Sequence, residues 1–310
     1  MATSFSKEYL GQRLFHFWRH EDPKRAFEIF ASIVQRGLLL SRATAQLIDS
    51  FPCRCDDGQI RSVEIVQNAR VCLTDIPEDK LTPMYERYGR CAVGFSREQV
   101  LAWGGLPVWY LPNRCYPGTL SDAAAAFLWW TDEARVLVRL LVQLLEQTGT
   151  PLIRAGQPLA PAEARREVQR AEQAILRLSS FLKEMSSKEA DDHCYLYERE
   201  WRIVSGCASH DFGDPCRKPT HGERAELLKQ RPEWEEPMRA NDPKVTAQLS
   251  GTPLIDGFWY FNGIPRRGTV SQAIEVVLVP DSAFGDRVRE YVKAYPDQFR
   301  QGGPEVRVAA

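Results

Sequence analysis

Tyr195-Leu196-Tyr197-Glu198-Arg199-Glu200-Trp201-Arg202-Ile203-Val204 reads as a β-strand, rich in aromatic and β-branched residues. Its position decides the fold class. It follows two stretches that read as long helices, the first from near Ser121 to near Gly149 and the second from Pro161 to about Glu189. The second is charged and rich in Ala and Glu, which favours helix. The Pro and Gly residues of 149–161 connect the two, so together they form a helical hairpin between strands. Upstream, Leu14–Trp18, Val71–Thr74, Cys91–Phe95 and Pro107–Leu111 have strand character, as do Gly257–Phe261 and Ala273–Val279 downstream. Short strands scattered among helices, without regular βαβ alternation, indicate an α+β protein rather than a doubly wound sheet.

Local signals place the remaining elements. Asp22 can cap a helix whose first turn holds Pro23. Phe27, Phe30, Ile33 and Val34 recur at helical spacing, and Gly37 ends the run. Tyr85 to Tyr88 reads as the end of a short helix. Further helices are expected at 223–230 and at about 284–294. A surface loop is expected around Cys53–Gly58. No internal repeat is visible, and the expected organisation is a single domain over 1–310 with the hairpin inserted at about 121–189.

With 310 residues, 44% hydrophobic and 26% charged, the chain is long enough for a substantial core and is not of disordered composition. A formal net charge of −1 gives no global electrostatic attraction to nucleic acid. The first residues lack the apolar core of a signal peptide. The most apolar stretch, Ala123 to Leu145, is interrupted by Asp132, Glu133, Arg135 and Arg139, so no membrane association is expected. A cytoplasmic location follows as an expectation, with the eight cysteines as reduced thiols.

Three groups of residues could carry chemistry. On a strand, Glu198, Glu200 and Arg202 share one face, and Arg199, Trp201 and Ile203 the other. Two carboxylates beside one guanidinium could hold an ionised carboxylate at a reacting centre, or form an ordinary ion pair on a solvated face. His16, between Phe15 and Phe17, is a second candidate, or a structural histidine with its hydrogen bonds satisfied. Cys207, His210, Cys216 and His221 are weak zinc candidates, because only the first pair has the short spacing typical of such sites. No dinucleotide fingerprint, phosphate loop or nucleophile elbow is present.

The ordered set Leu14-Phe-His-Phe17, Gly37-Leu-Leu-Leu-Ser41, Val71-Cys-Leu-Thr-Asp-Ile-Pro77, Tyr88-Gly-Arg-Cys-Ala-Val-Gly-Phe95, Pro107-Val-Trp-Tyr110 and Glu198-Arg-Glu-Trp-Arg202 resembles the AbiGi-type abortive-infection proteins of bacteria. That resemblance implies phage defence and a place in a toxin–antitoxin pair, with a cognate toxin or antitoxin as partner. The early histidine and late glutamate are also similar, more distantly, to ADP-ribosyltransferase folds. This second likeness implies a mixed or antiparallel central sheet of that type and NAD as substrate. It makes Glu200 and Glu198 the catalytic carboxylates, with His16, Phe17, Ser41, Thr74, Tyr88 and Arg202 around the cofactor. Trp18 stands where related sequences carry a threonine.

Three functions follow as expectations. One is an ADP-ribosyltransferase-like toxin acting on nucleic acid or protein. The second is a non-catalytic antitoxin or regulator that binds a partner protein. The third is an NAD glycohydrolase. Both enzymatic readings require His16 and Glu200 to line one cleft of NAD size.

Overall fold

The computed structural model describes residues 11–41, 48–54, 60–66, 68–111, parts of 133–148, 153–154, 156–184, 187–188, 193–194, 199–205, 215–237, 250–264 and 266–309. In chain order, two sheets are built from β1 (Arg13–Trp18), β2 (Leu38–Leu40), β3 (Arg70–Thr74), β4 (Cys91–Ser96), β5 (Leu106–Pro107), β6 (Glu200–Val204), β7 (Cys216–Arg217), β8 (Trp259–Phe261), β9 (Val276–Val279) and β10 (Glu305–Val308). The larger has seven strands in the order β10-β9-β4-β1-β3-β6-β5. β9 and β10 are parallel and the other pairings are antiparallel, so the sheet is mixed. The smaller sheet, β7-β8-β2, is antiparallel. The α+β expectation therefore agrees with the mixed sheet.

Helix α1 (Pro23–Arg36) forms where its caps predict. Asp22 accepts a hydrogen bond from the Lys24 N–H, and Gly37, at φ 94°, closes the C-terminal end. Ala26, Phe30, Ile33 and Val34 are its buried stripe. Phe27 packs at the edge of that stripe, edge-on to Phe284 and Tyr291. The Trp18 indole donates to the Ala26 carbonyl at 3.0 Å, which ties β1 to α1.

Opposed residues in paired strands share a face. Phe15 faces Thr74 across β1 and β3, and Thr74 faces Glu200 across β3 and β6. Phe15 also faces Gly94, which faces Val276. The row Val276, Gly94, Phe15, Thr74, Glu200 thus lies on one face. Packing agrees: Phe15, Ala92, Val276 and Leu278 form a core with Met84 and Tyr85 of α2 (Thr82–Tyr88). On the other face Leu14, Trp18, Val93, Leu73, Trp201 and Val277 pack with α1.

Several expectations are corrected. The second helix of the hairpin, Pro161–Ser179, ends well short of Glu189, because Leu182–Glu184 pairs in parallel with Trp109–Leu111. Of the first helix, residues 121–132 lie outside the described residues. Parts of 133–148 are helical. Cys53 and Arg54 end the strand Ile48–Arg54, which pairs with Ile60–Val66, instead of lying in a loop. Ala273 closes a short helix, Val270–Ala273, and is not in a strand. The strand expected over 195–204 begins at Glu200 among the described residues.

Gly37 and Gly222 give a paired stability test. A Cβ at Gly37 would sit 2.1 Å from the Phe261 carbonyl oxygen, at a φ unfavourable to other residues. Gly222, inside helix His221–Gln230, has open space around it. Gly37→Ala is expected to lower unfolding stability by at least about 2 kcal/mol. Gly222→Ala should raise it by up to about 1 kcal/mol, both read by urea denaturation.

Candidate functional site

Glu200 and Arg202 are two residues apart on β6 and project to the same face. Both are buried, at 5% and 1% exposure, so the solvated face considered from the sequence is not what forms. Arg202 Nε donates to Glu200 Oε1 at 2.7 Å, and Arg202 Nη1 donates to the Ser180 carbonyl at 2.6 Å. The Glu200 backbone N–H donates to the Tyr110 hydroxyl, and its carbonyl accepts from the Val108 N–H. Each charge is therefore matched by a close partner, as a buried ion pair requires.

Beside the pair lies Cys72, directly opposite Arg202 on β3. Its side chain reaches the surface, yet protein crowds its sulfur. That enclosure, followed by the charge of Glu200, pushes the thiol up to about 11. It is protonated at neutral pH and so a poor nucleophile. One residue beyond Thr74 is a second charged knot. Arg97 Nη2 contacts both Asp75 oxygens at 2.8 and 3.0 Å and also donates to the Gly11 carbonyl. Arg199 Nη2 lies 3.5 Å from Asp75, and its carbonyl accepts the Asp75 N–H. Burial pushes the Asp75 carboxyl up against the pull of Arg97 and Arg199.

Five of the sequence candidates lie on or pack against this face. Glu200, Arg202 and Thr74 adjoin in the sheet. Phe17 alternates with His16 and packs with Tyr88 against the core around Phe15. His16 and Ser41 are elsewhere. His16 follows Phe15 on a regular strand and pairs with Val93, so it points to the opposite face from Glu200. The expected single cleft holding both is corrected by this register. His16 and Ser41 instead line a groove of about 650 Å³ between α1 and the residues around Trp234, Phe258 and Tyr260. His16 Nδ1 lies 3.0 Å from the Cys72 carbonyl, an acceptor, so this nitrogen carries the proton. Ser41 also bridges to Arg70 through backbone hydrogen bonds.

Glu198, Cys207 and His210 lie outside the described residues. Among the zinc candidates, Cys216 is buried on β7 and His221 is exposed at the start of its helix. Among the described residues, no group of three or more side chains is placed to hold a metal. Sequence reading did not select Cys72, Asp75, Arg97 or Tyr110. The local cue at Asp75 was only the turn before Pro77, and the others meet the site through long-range pairing.

Residues 54–212 match the family described as "Putative abortive phage resistance protein AbiGi, antitoxin". The chain belongs to the AbiGi family. The match includes the Glu200–Arg202 pair and both helical stretches. No curated protein and no solved structure matches the chain. The AbiGi assignment therefore stands without a structural match to ADP-ribosyltransferases.

Two measurements test the physical account of this site. Arg202→Met leaves a buried carboxylate without its cation and should cost about 3 kcal/mol of unfolding free energy at pH 7. A loss under about 1 kcal/mol would show the pair to be dispensable. Enclosure holds His16 below its usual 6.5. The unfolded chain therefore binds a proton more readily, and the stability linked to His16 is present above 6.5 and lost as pH falls through the folded value. His16→Asn should flatten that part of the stability profile below pH 6.5.

Proposed function

We propose that this AbiGi protein is the antitoxin of a phage-defence pair and acts by binding a cognate toxin. The observation that carries the reading is the antitoxin family match over 54–212. The site geometry supports it. Glu200 and Arg202 engage each other in the interior, His16 faces away, and Cys72 holds its proton. Glu200 and His16 therefore sit on opposite faces of the sheet.

The matched residues also offer a binding surface. Val136, Leu137, Leu140, Leu141 and Leu144 are between 42% and 60% exposed. Their spacing puts leucines on neighbouring turns of one helical stripe. Contiguous exposed apolar surface of this kind marks partner sites more often than scattered leucines do. The proposed occupant is the toxin, because the stripe lies inside the span that matches the antitoxin family.

Expression in bacteria tests the role. The chain alone should leave growth unchanged, the protein encoded beside it should arrest growth, and co-expression should restore it. Growth arrest by this chain alone would overturn the antitoxin reading. The double variant Leu137→Ser/Leu141→Ser should bind the neighbouring protein at least tenfold more weakly, with unfolding stability within about 0.5 kcal/mol of wild type. Undiminished binding would exclude the stripe as the interface.

A further inference from the structure

The groove beside α1 lies outside the family match. Every residue that lines it falls in 16–41 or 226–260, whereas the matched residues are 54–212. It runs along α1. Its lining takes residues from successive turns of α1, from Asp22 to Arg36. At about 1.5 Å per residue that helix extends about 21 Å, the reach of about six residues of extended chain.

The walls combine charge with apolar surface. Arg19, Arg25, Arg36, Lys229 and Arg231 face three carboxylates, those of Asp22, Glu28 and Glu226. The carboxylates are already engaged: Asp22 caps α1, Glu28 pairs with Arg25 at 2.6 Å, and Glu226 pairs with Arg36 at 2.5 Å. Among the described residues, no carboxylate pairs with Arg19 or Lys229. Arg231 pairs with Glu233 at 3.3 Å, so the excess positive charge along the rim comes from Arg19 and Lys229. Ile29, Leu39 and Trp234, all half-buried, supply apolar contact, and Ser32 leaves space midway along α1. With Nδ1 of His16 donating to Cys72, its Nε2 remains as an acceptor for a peptide N–H.

We infer that this groove receives a short, extended, acidic segment of the partner protein, with apolar side chains between its carboxylates. The inference rests on the antitoxin reading for the identity of the partner and on the groove's own shape and charge for the chemistry. Recognition of acidic segments by clustered cations is a recurring mode of peptide binding, and it weakens with salt.

The test uses the full chain and two probes, the protein encoded beside it and a fluorescein-labelled six-residue peptide of alternating glutamate and leucine. Variants Arg19→Glu/Lys229→Glu and Ser32→Trp change the rim charge and the groove space, with thermal melting as the folding control. The inference expects both probes to bind wild type, each variant to weaken both by tenfold or more, and higher salt to weaken wild-type binding. If the neighbouring protein does not bind but the peptide does, and the variants abolish peptide binding, the groove stands and the partner reading fails. If the neighbouring protein binds wild type and both variants equally, or the peptide does not bind, the groove assignment is overturned. Displacement of the peptide by a uridine dodecamer that binds more tightly would also overturn it, in favour of an RNA ligand.

Discussion

The alternation of side chains across β1, β3 and β6 governs the arrangement of the rest of the molecule. Thr74 faces Phe15 on one side and Glu200 on the other, so these three residues share a face. His16, one residue along, must then project to the other side. The sheet becomes a partition. One face packs with α2 and holds the ion pair, and the other packs with α1 and borders the groove. A slip of one residue in β6 would exchange Glu200 and Arg202 for Trp201 and Ile203, placing charges in the apolar layer beneath α1.

Burial also explains why the charged residues of β6 act together. A lone charge taken from water is strongly unfavourable, whereas a close pair with further hydrogen bonds offsets much of that loss. Arg202 meets Glu200 and the Ser180 carbonyl at once, so β6 is joined to the end of the long helix Pro161–Ser179. Just before the strand, next to Glu200, Asp75 draws in Arg97 and Arg199. Arg199 adopts a positive φ of 46° there, unusual for a residue other than glycine. This backbone turn ends the regular alternation just before Glu200.

Local patterns made much of this fold readable. The aromatic run of β1, the Asp-Pro cap of α1, Gly37 and the apolar strands β3 and β4 all carry short-range signals that the tertiary structure reinforces. The end of the hairpin did not read correctly, because helix-favouring composition continues past Ser179 while Phe181 is buried and the next residues pair with Trp109–Leu111. Strand β10 was missed for a related reason. Glu305-Val-Arg-Val308 is half polar and becomes a strand by pairing with β9. The common face of Glu200 and Arg202 was legible from their spacing. Their burial was not, since Ser180 and Tyr110 come from distant parts of the chain. Nor could any local pattern show that His16 and Glu200 are separated, because that relation passes through the register of β3.

Glu200 belongs to a buried ion pair on the face of the sheet opposite His16. Calorimetric titration of the purified chain with NAD, followed by chromatography for released nicotinamide, tests it most directly. No binding at millimolar NAD and no released nicotinamide are expected. Nicotinamide release by wild type that disappears in both His16→Ala and Glu200→Gln, with each variant folded, would contradict it.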